Sequence, residues 1–315
     1  TTEMEQRGLD QAIAMIQGSS GILTHWSVAG PLPANLERLD TYASDTASWQ
    51  TLAATGIDAK VVLAPKDGPP GMMWLAVTTI AATDATDVQF LGSSSGGLHV
   101  FLSDQQIYER QEPQAFRPDS DQFAARLAKG DNRVVVSVGP TKDPVEFHLR
   151  FRRKSATAEH ERLIQAALSR SGNPERGRQV LLNVEKSLCL KCHKVGDQGE
   201  RTGPELTGLG SRFSRIHIVE SILEPSRTIA PSYGTLSLIL SDGRPLAGIK
   251  IAETATELTL VDNQAQKHTI NKADIDQQQP SPLSTMPDGL EKRLSEEEFV
   301  DLAAYLASLK ESPPP

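Results

Sequence analysis

Apolar and polar residues alternate with a period of two through much of the first half of the chain. The clearest stretch spans residues 145–152. Its apolar members are Val145, Phe147, Leu149 and Phe151, and its polar members are Glu146, His148, Arg150 and Arg152. Successive side chains of a strand point to opposite faces, so this stretch predicts one buried side and one solvent-facing side. Similar short runs occur at 61–63, 72–80, 88–91, 98–102 and 134–138. We therefore predict a β-sandwich of the jelly-roll type over residues 21–154.

A helical period marks two stretches that flank this sandwich. Residues 3–17 place apolar side chains among charged ones at helical spacing, which predicts a helix within residues 1–20. Residues 156–170 repeat the pattern and predict a linker helix within residues 155–171. The sandwich is thus expected to lie between two helices.

The second half of the chain combines helix signals with strand signals. Asn173 and Pro174 fit the N-cap and the first position of a helix. Ser295 and Glu298 fit a capping box that begins a second helix near the end of the chain. Between them, residues 233–277 hold about five short apolar runs separated by turn residues. These runs predict a small inserted β-barrel.

Composition sets outer limits on the class of protein. The chain has 315 residues, enough for two or three domains, and a formal net charge of −8. It has no basic stretch of the kind that binds nucleic acid, so a nucleic-acid partner is not expected. No run of 18 apolar residues occurs, so no transmembrane segment is expected.

The only two cysteines lie in residues 189–193, which read CLKCH. Two thiols separated by two residues and followed at once by a histidine are typical of covalent haem attachment. Cys189 and Cys192 would form thioethers, and His193 would ligate the iron. A thioredoxin-like dithiol, a structural zinc site and a plain disulfide are the alternatives. A helical pattern precedes the motif, and the later histidines form no paired zinc knuckle.

A second segment resembles class I c-type cytochromes. Residues 202–208 (TGPELTG) resemble the GPxLxG loop of that family. In the family, the proline carbonyl accepts a hydrogen bond from the free nitrogen of the iron-bound histidine, which fixes the orientation of the ring. The resemblance assigns this role to Pro204.

The same resemblance implies further contacts with the haem. Met286, followed by proline, resembles the distal ligand loop and implies an iron ligated by His193 and Met286. His217 and His268 are the alternative sixth ligands. Arg212 is a candidate partner for a haem propionate, because a guanidinium suits a carboxylate.

A narrower resemblance covers residues 172 to about 310. The matching segments are 189–196, 210–214, 221–226, 286–290 and 301–306. They resemble the haem-binding C-terminal domain found in many large secreted or periplasmic proteins of planctomycetes and their relatives. This implies an all-α class I cytochrome c-like domain over residues 172–312, with the β-barrel inserted at about 233–277. It also implies that the first and last helices cross closely where Gly177 meets Tyr305.

The predicted sandwich resembles, more loosely, the galactose-binding-like jelly rolls appended to large extracellular proteins. The segments that carry the resemblance are 26–33, 97–102 and 128–136. Such domains often have acidic residues where this chain has Ser93, Ser94 and Ser95. The fold alone therefore implies no particular sugar or calcium site.

Together these features predict a multidomain α+β protein that carries one covalently attached haem c. Its expected role is electron transfer, not enzyme catalysis, for a redox partner such as a dehydrogenase or an oxidase, which could also lie on the same full-length chain. Covalent haem attachment in bacteria takes place outside the cytoplasm, so a periplasmic or exported location is expected. One alternative is a haem enzyme or sensor with an open distal site. Another is a carbohydrate-binding module with an accessory haem, for which Trp49 is the best surface tryptophan.

Overall fold

The computed structural model divides the chain into two compact units, Thr1–Ala156 and Thr157–Pro315. It describes residues 3–33, 49–64, 71–141, 144–155 and 157–310. Small parts of each predicted domain, among them residues 1–2 and 311–312, lie outside the described residues.

The first unit holds one helix and two antiparallel sheets. Helix α1 spans Glu3–Ser20. The strands are β1 His25–Pro33, β2 Gln50–Ala53, β3 Val61–Ala64, β4 Met72–Ala82, β5 Thr86–Ser94, β6 Leu98–Leu102, β7 Gln105–Arg110, β8 Asp121–Leu127, β9 Gly130–Val138 and β10 Val145–Arg153. One sheet has the order β2-β1-β4-β9-β6-β7 and the other has the order β3-β10-β5-β8. This is the two-sheet sandwich that the period-two pattern predicts.

The core of the sandwich lies between the inner faces of its two sheets. Trp26 on β1 and Phe147 on β10 meet edge to face, with ring centroids 4.9 Å apart. Trp74 on β4 is also buried in this core. Both tryptophans are therefore core residues.

The prediction of a solvent-facing side on β10 is wrong. His148, Arg150 and Arg152 are all buried, although they alternate with the core residues of the strand. The loop before β8 explains this, because Asp119 in that loop binds the Arg150 guanidinium through both carboxylate oxygens. Polar residues on the outer face of a strand are buried here by hydrogen-bonded partners, which hydrophobic alternation does not reveal.

The second unit begins with helices. In chain order they are α2 Ala158–Ser169, α3 Pro174–Leu182, α4 Val184–Ser187, α5 Leu209–Arg212, α6 Arg215–Leu223 and α7 Glu296–Ser308. The Asn173 side chain caps α3 by accepting the N–H of Arg176, and the Ser295–Glu298 capping box begins α7. Both helix starts are confirmed.

The second unit also contains a substantial sheet. After the two-residue strands β11 Lys194–Val195 and β12 Gln198–Gly199, five longer strands follow: β13 Thr235–Leu240, β14 Pro245–Glu253, β15 Glu257–Val261, β16 Lys267–Asn271 and β17 Ile275–Ser281. These five form one antiparallel sheet in the order β16-β15-β14-β13-β17. Leu238, Leu258 and Leu260 form its own apolar cluster, separate from the cluster that the helices share.

The predicted fold class is therefore wrong for the second unit. An all-α class I cytochrome domain does not describe it, because an antiparallel five-stranded sheet with its own core makes up a large part of residues 157–310. The sheet is a ladder with β16 and β17 at its edges, and no described pairing closes it into the expected barrel. The whole chain is β-rich, with four antiparallel sheets in its described residues.

Helices α3 and α7 cross closely at one glycine. A Cβ atom at Gly177 would lie 2.0 Å from the carbonyl oxygen of Asp301 and 2.8 Å from the Cβ of Tyr305. Only a residue without a side chain allows this approach. The predicted meeting of Gly177 and Tyr305 is confirmed.

Candidate functional site

The two cysteines lie on a short turn between helix α4 and the hairpin β11–β12. Leu188 ends α4 in the left-handed conformation, with φ 60°. A single 3₁₀ turn then carries Cys189, and the N–H of His193 donates to the Cys189 carbonyl at 2.9 Å. Both thiols are free and partly buried. The turn thus brings two thiols and one imidazole into a single compact segment.

The imidazole of His193 has a defined partner. Its Nδ1 atom lies 2.8 Å from the carbonyl oxygen of Pro204. A carbonyl oxygen can only accept, so Nδ1 carries the proton and Nε2 is left with its lone pair. The structure therefore places the Pro204 carbonyl at Nδ1 of His193, the contact that the resemblance to class I cytochromes implies.

The loop that carries Pro204 is fastened to the cysteine segment by its backbone. Gly203 N–H donates to the Cys192 carbonyl at 2.7 Å, and Leu206 N–H donates to the Lys194 carbonyl at 2.8 Å. A Cβ atom at Gly203 would lie 2.9 Å from both Cε1 and Nδ1 of His193. The loop therefore forms a close-fitting wall against one side of the ring.

Burial shifts the pKa of Cys189, Cys192 and His193 so as to favour the neutral form of each side chain. It raises the pKa of the Cys189 thiol. It also raises the pKa of the Cys192 thiol, and the nearby Asp262 carboxylate acts in the same direction. Burial lowers the pKa of His193, and the hydrogen bond to Pro204 only partly offsets this. At neutral pH the thiols are protonated and the imidazole is neutral, which is the form of histidine that binds a metal.

The predicted sixth ligands lie on separate elements of the second unit. Met286 is partly buried in the loop after β17, where its N–H donates to Ser284 Oγ at 3.1 Å. His217 on α6 stacks on Phe213, with ring centroids 4.7 Å apart. His268 on β16 has its Nε2 2.7 Å from a carboxylate oxygen of Asp262. The sixth-ligand assignment to Met286 stays a prediction.

Arg212 makes its described hydrogen bonds to the backbone of the Pro204 loop. Its Nη2 donates to the Glu205 carbonyl at 2.7 Å and to the Thr207 carbonyl at 3.4 Å. Its Nε donates to the Gly208 carbonyl at 3.4 Å. The expected pairing with a propionate stays a prediction. The loop contacts were not foreseen, because no spacing rule links an arginine to carbonyl groups on a preceding loop.

A second candidate surface lies on the six-stranded sheet of the sandwich, on the side away from the core. Its buried members are Met73, Leu75 and Val135, and the partly buried Trp49 and Phe101 pack against them. We call these five residues the outer face. Met73, Leu75, Phe101 and Val135 alternate with core residues along their strands, which places them on the opposite side of the sheet. Trp49 directly precedes β2 and packs against them.

Polar side chains flank the outer face at one end. His99 lies on β6 and pairs across the ladder with Glu109, and Phe101 pairs with Gln106. Glu109 and Gln106 are exposed. Burial lowers the pKa of His99, whereas Glu109 acts in the opposite direction. The outer face therefore combines partly exposed aromatic rings with neighbouring donors and acceptors.

No group of three or more His, Cys, Asp or Glu side chains that could hold a metal ion occurs among the described residues. None of the helices described is both long enough and apolar enough to cross a membrane.

Comparisons with known proteins do not assign the chain to a family. No family model matches the chain, and no curated protein matches it. A β-glucosidase from Kluyveromyces marxianus is 12% identical over 45% of this chain, with a TM-score of 0.31. A β-glucuronidase from Faecalibacterium prausnitzii is 15% identical over 38% of this chain, with a TM-score of 0.28. The chain spans 18% and 20% of the lengths of these two glycosidases.

A smaller solved structure is similar over most of its own length. It is the PA14 sugar-binding domain of an RTX adhesin, 10% identical over 41% of this chain and 89% of its own, with a TM-score of 0.30. Likenesses at this level do not define a function.

The interpretation of the chain as an electron-transfer cytochrome is corrected by these findings. The second unit is not an all-α domain, no family model supports the resemblance to planctomycete haem domains, and the described residues hold no cluster of metal-ligating side chains. The cofactor itself is a separate question. A covalent haem brings four nitrogen ligands of its own and requires from the chain only thiols and axial ligands.

Proposed function

We propose that the chain is a carbohydrate-binding protein with an accessory haem held covalently by Cys189 and Cys192. The observation that carries the haem half is the 2.8 Å contact between His193 Nδ1 and the Pro204 carbonyl, directly beside both thiols. The observation that favours carbohydrate binding is the outer face of the sandwich. Electron transfer between redox partners is not part of this proposal.

The chemistry of the outer face suits a sugar ring. Trp49 and Phe101 are partly buried aromatic residues that pack against the buried side chains of Met73, Leu75 and Val135. An aromatic face packs against the C–H side of a pyranose, while neighbouring polar groups bind its hydroxyls.

Retention on insoluble polysaccharides tests the carbohydrate half. The chain is expected to be retarded on at least one glycan of a panel that includes cellulose, xylan, chitin and pectin. Trp49→Ala is expected to weaken retention about tenfold, since a stacked aromatic ring contributes roughly 1–1.5 kcal/mol. Val62→Ala removes an exposed apolar side chain from the other sheet and should leave retention unchanged. Elution of the wild type without retardation on every glycan would refute carbohydrate binding, and equal retention of the wild type and Trp49→Ala would refute a role for Trp49.

The residues at the cysteine segment fit a covalent haem. Cys189 and Cys192 would form the thioether bonds, and His193 Nε2 is free to ligate the iron because Nδ1 is committed to Pro204. Gly203 gives the ring room on its inner side. When bound, the haem supplies a redox-active iron. The chain's own residues hold the imidazole neutral and in one orientation.

The alkaline pyridine spectrum of the matured chain tests the haem half. We expect the band position of a haem with both vinyl groups saturated by thiols. Cys192→Ser should shift that band toward the position of a haem with one thioether, and Cys189→Ser should do the same. Haem that is extracted entirely by acidified solvent from the wild-type chain would contradict covalent attachment. A covalent haem would also require maturation outside the cytoplasm, so the proposal includes an exported location.

A further inference from the structure

The Pro204 loop is also held by an arginine. Arg212 donates to the Glu205 carbonyl at 2.7 Å and more weakly to those of Thr207 and Gly208. A hydrogen bond from a charged donor is stronger than one between neutral groups. The guanidinium thus fixes the backbone that directly follows Pro204.

The helix that carries Arg212 is itself fixed in place. Gly210 N–H on α5 donates to the Leu309 carbonyl at 2.8 Å, and Ser211 Oγ donates to the Lys310 carbonyl at 2.7 Å. A Cβ atom at Gly210 would lie 2.1 Å from the Ala307 carbonyl oxygen, so α5 lies directly against the end of α7. Arg212 therefore reaches the loop from a rigid base.

Thr207 also fastens the loop, through its side-chain hydroxyl. Its Oγ1 accepts the N–H of Gly196 at 2.8 Å and donates to the Glu205 carboxylate at 2.6 Å. The first of these bonds joins the loop to the segment just after His193. The hydroxyl is used both as an acceptor and as a donor, which a valine of the same shape cannot match.

We propose that Arg212 and Thr207 are positioning residues for His193: together they hold the Pro204 carbonyl at Nδ1 and so keep Nε2 free to ligate. Neither side chain hydrogen-bonds the imidazole in the described contacts, and both act through the loop. This deepens the haem half of the proposed function and rests on it for its biological meaning. The state of the imidazole can be measured without haem.

Nitrogen-15 NMR of histidine side chains in the chain without haem tests the proposal. In the wild type we expect His193 in the Nδ1–H tautomer, with slow exchange of that proton. Arg212→Ala and Thr207→Val should each speed the exchange about tenfold, because each variant loses about one hydrogen bond that stabilises the loop. Arg212→Lys and Thr207→Ser should restore most of the protection.

Arg244→Ala is the matched control. Arg244 lies at an exposed turn of the same unit, where its guanidinium pairs with Asp242. It should leave His193 unchanged. Wild-type exchange in both Arg212→Ala and Thr207→Val, with an intact fold by circular dichroism, would overturn the positioning role. If either variant fails to fold, Arg212→Gln and Thr207→Ala replace the two variants: a positioning role predicts faster exchange than in the wild type, and wild-type exchange in both would overturn it.

The haem-loaded chain separates this inference from the proposed function. Absence of covalent haem in the wild type refutes the haem half, while the NMR result still stands or falls by itself. Haem attachment with identical visible spectra in wild type, Arg212→Ala and Thr207→Val would leave the haem half intact and count against the positioning role.

Discussion

The carbonyl oxygen of Pro204 lies 2.8 Å from Nδ1 of His193, in a loop whose backbone is bonded to the cysteine segment itself. This relationship fixes the tautomer of the ring. The same loop is joined to the cysteine segment, because Gly203 N–H bonds to the carbonyl of Cys192. A side chain held in this way loses little freedom when it binds a metal.

Replacement of Gly203 by alanine should disturb the ring directly. The new Cβ atom would lie 2.9 Å from two ring atoms of His193, closer than packed atoms approach. We expect loss of the Nδ1–H signal in the chain without haem and at least a severalfold lower yield of haem-bearing protein. Gly234→Ala is the control, since its Cβ would meet only the Pro231 carbonyl, at 3.5 Å. A Gly203→Ala variant with wild-type spectra and haem content would show that the close fit is unimportant.

Gly177→Ala should destabilise the second unit. The added methyl would overlap the Asp301 carbonyl, at 2.0 Å, so helices α3 and α7 would have to separate. The expected loss is about 3 kcal/mol in the free energy of unfolding. Thermal unfolding followed by circular dichroism measures it, again against Gly234→Ala. A melting temperature equal to that of the control would mean that the two helices do not cross as described.

His148 should make the sandwich sensitive to acid. Its Nε2 accepts the N–H of Asp119 at 2.9 Å, and burial lowers its pKa to about 4, although Asp119 acts in the opposite direction. The folded pKa lies below the ordinary value of 6.5, so this contribution to stability is complete above pH 6.5. It is lost as the pH falls from 6.5 to 4, at a cost of about 3 kcal/mol.

Urea unfolding at pH 7 and pH 4 measures this loss. The variant His148→Gln keeps an acceptor for the Asp119 N–H but does not titrate. Its stability should fall less between the two pH values than that of the wild type. An equal fall in both proteins would assign the acid sensitivity to other groups.

Asp301 should anchor the start of helix α3. Its carboxylate accepts the N–H of Asn173 at 2.6 Å and the Nε–H of Arg176 at 2.5 Å. Burial alone would raise its pKa, but these hydrogen bonds lower it, so its contribution is present above the ordinary carboxyl pKa and is lost as the pH falls below it. Asp301→Asn should lower the free energy of unfolding by about 2 kcal/mol at pH 7. The loss is smaller than for a fully buried ion pair, because the Arg176 side chain is 53% exposed.

Chemical denaturation of Asp301→Asn at pH 7 and pH 3 checks this expectation. The difference from the wild type should be larger at pH 7 than at pH 3. Glu297→Gln is the matched control, because Glu297 pairs with the same arginine at 2.8 Å but is exposed. A loss in the control as large as that in Asp301→Asn would point to a general charge effect.

Local patterns predicted most of the secondary structure. The alternation over residues 145–152 gives strand β10, and Asn173 and Ser295 begin helices where capping chemistry places them. These features depend on neighbours within a few residues, so the sequence carries them directly. The compact turn of Cys189, Cys192 and His193 follows from their spacing in the sequence. The contact between His193 and Pro204 does not follow from spacing and was implied only by the resemblance of residues 202–208 to a cytochrome loop.

Long-range polar contacts were not predictable from spacing. Arg150 and His148 are buried because Asp119, about thirty positions earlier, adopts a left-handed conformation with φ 61° and binds them. Arg212 bonds to backbone carbonyls, which every residue has, so nothing in the sequence marks its partners. The short apolar runs of residues 233–277 predict a small insertion. The sheet that they form has its own core and makes the second unit a mixed α and β structure.

The mass of the intact chain, after expression with a bacterial system that attaches haem, decides whether Cys189 and Cys192 carry a covalent haem. The wild-type chain is expected to gain the mass of one haem and to keep it under denaturing acid. The double variant Cys189→Ser/Cys192→Ser should show only the polypeptide mass. A wild-type chain with the polypeptide mass alone would contradict a covalent haem at this site.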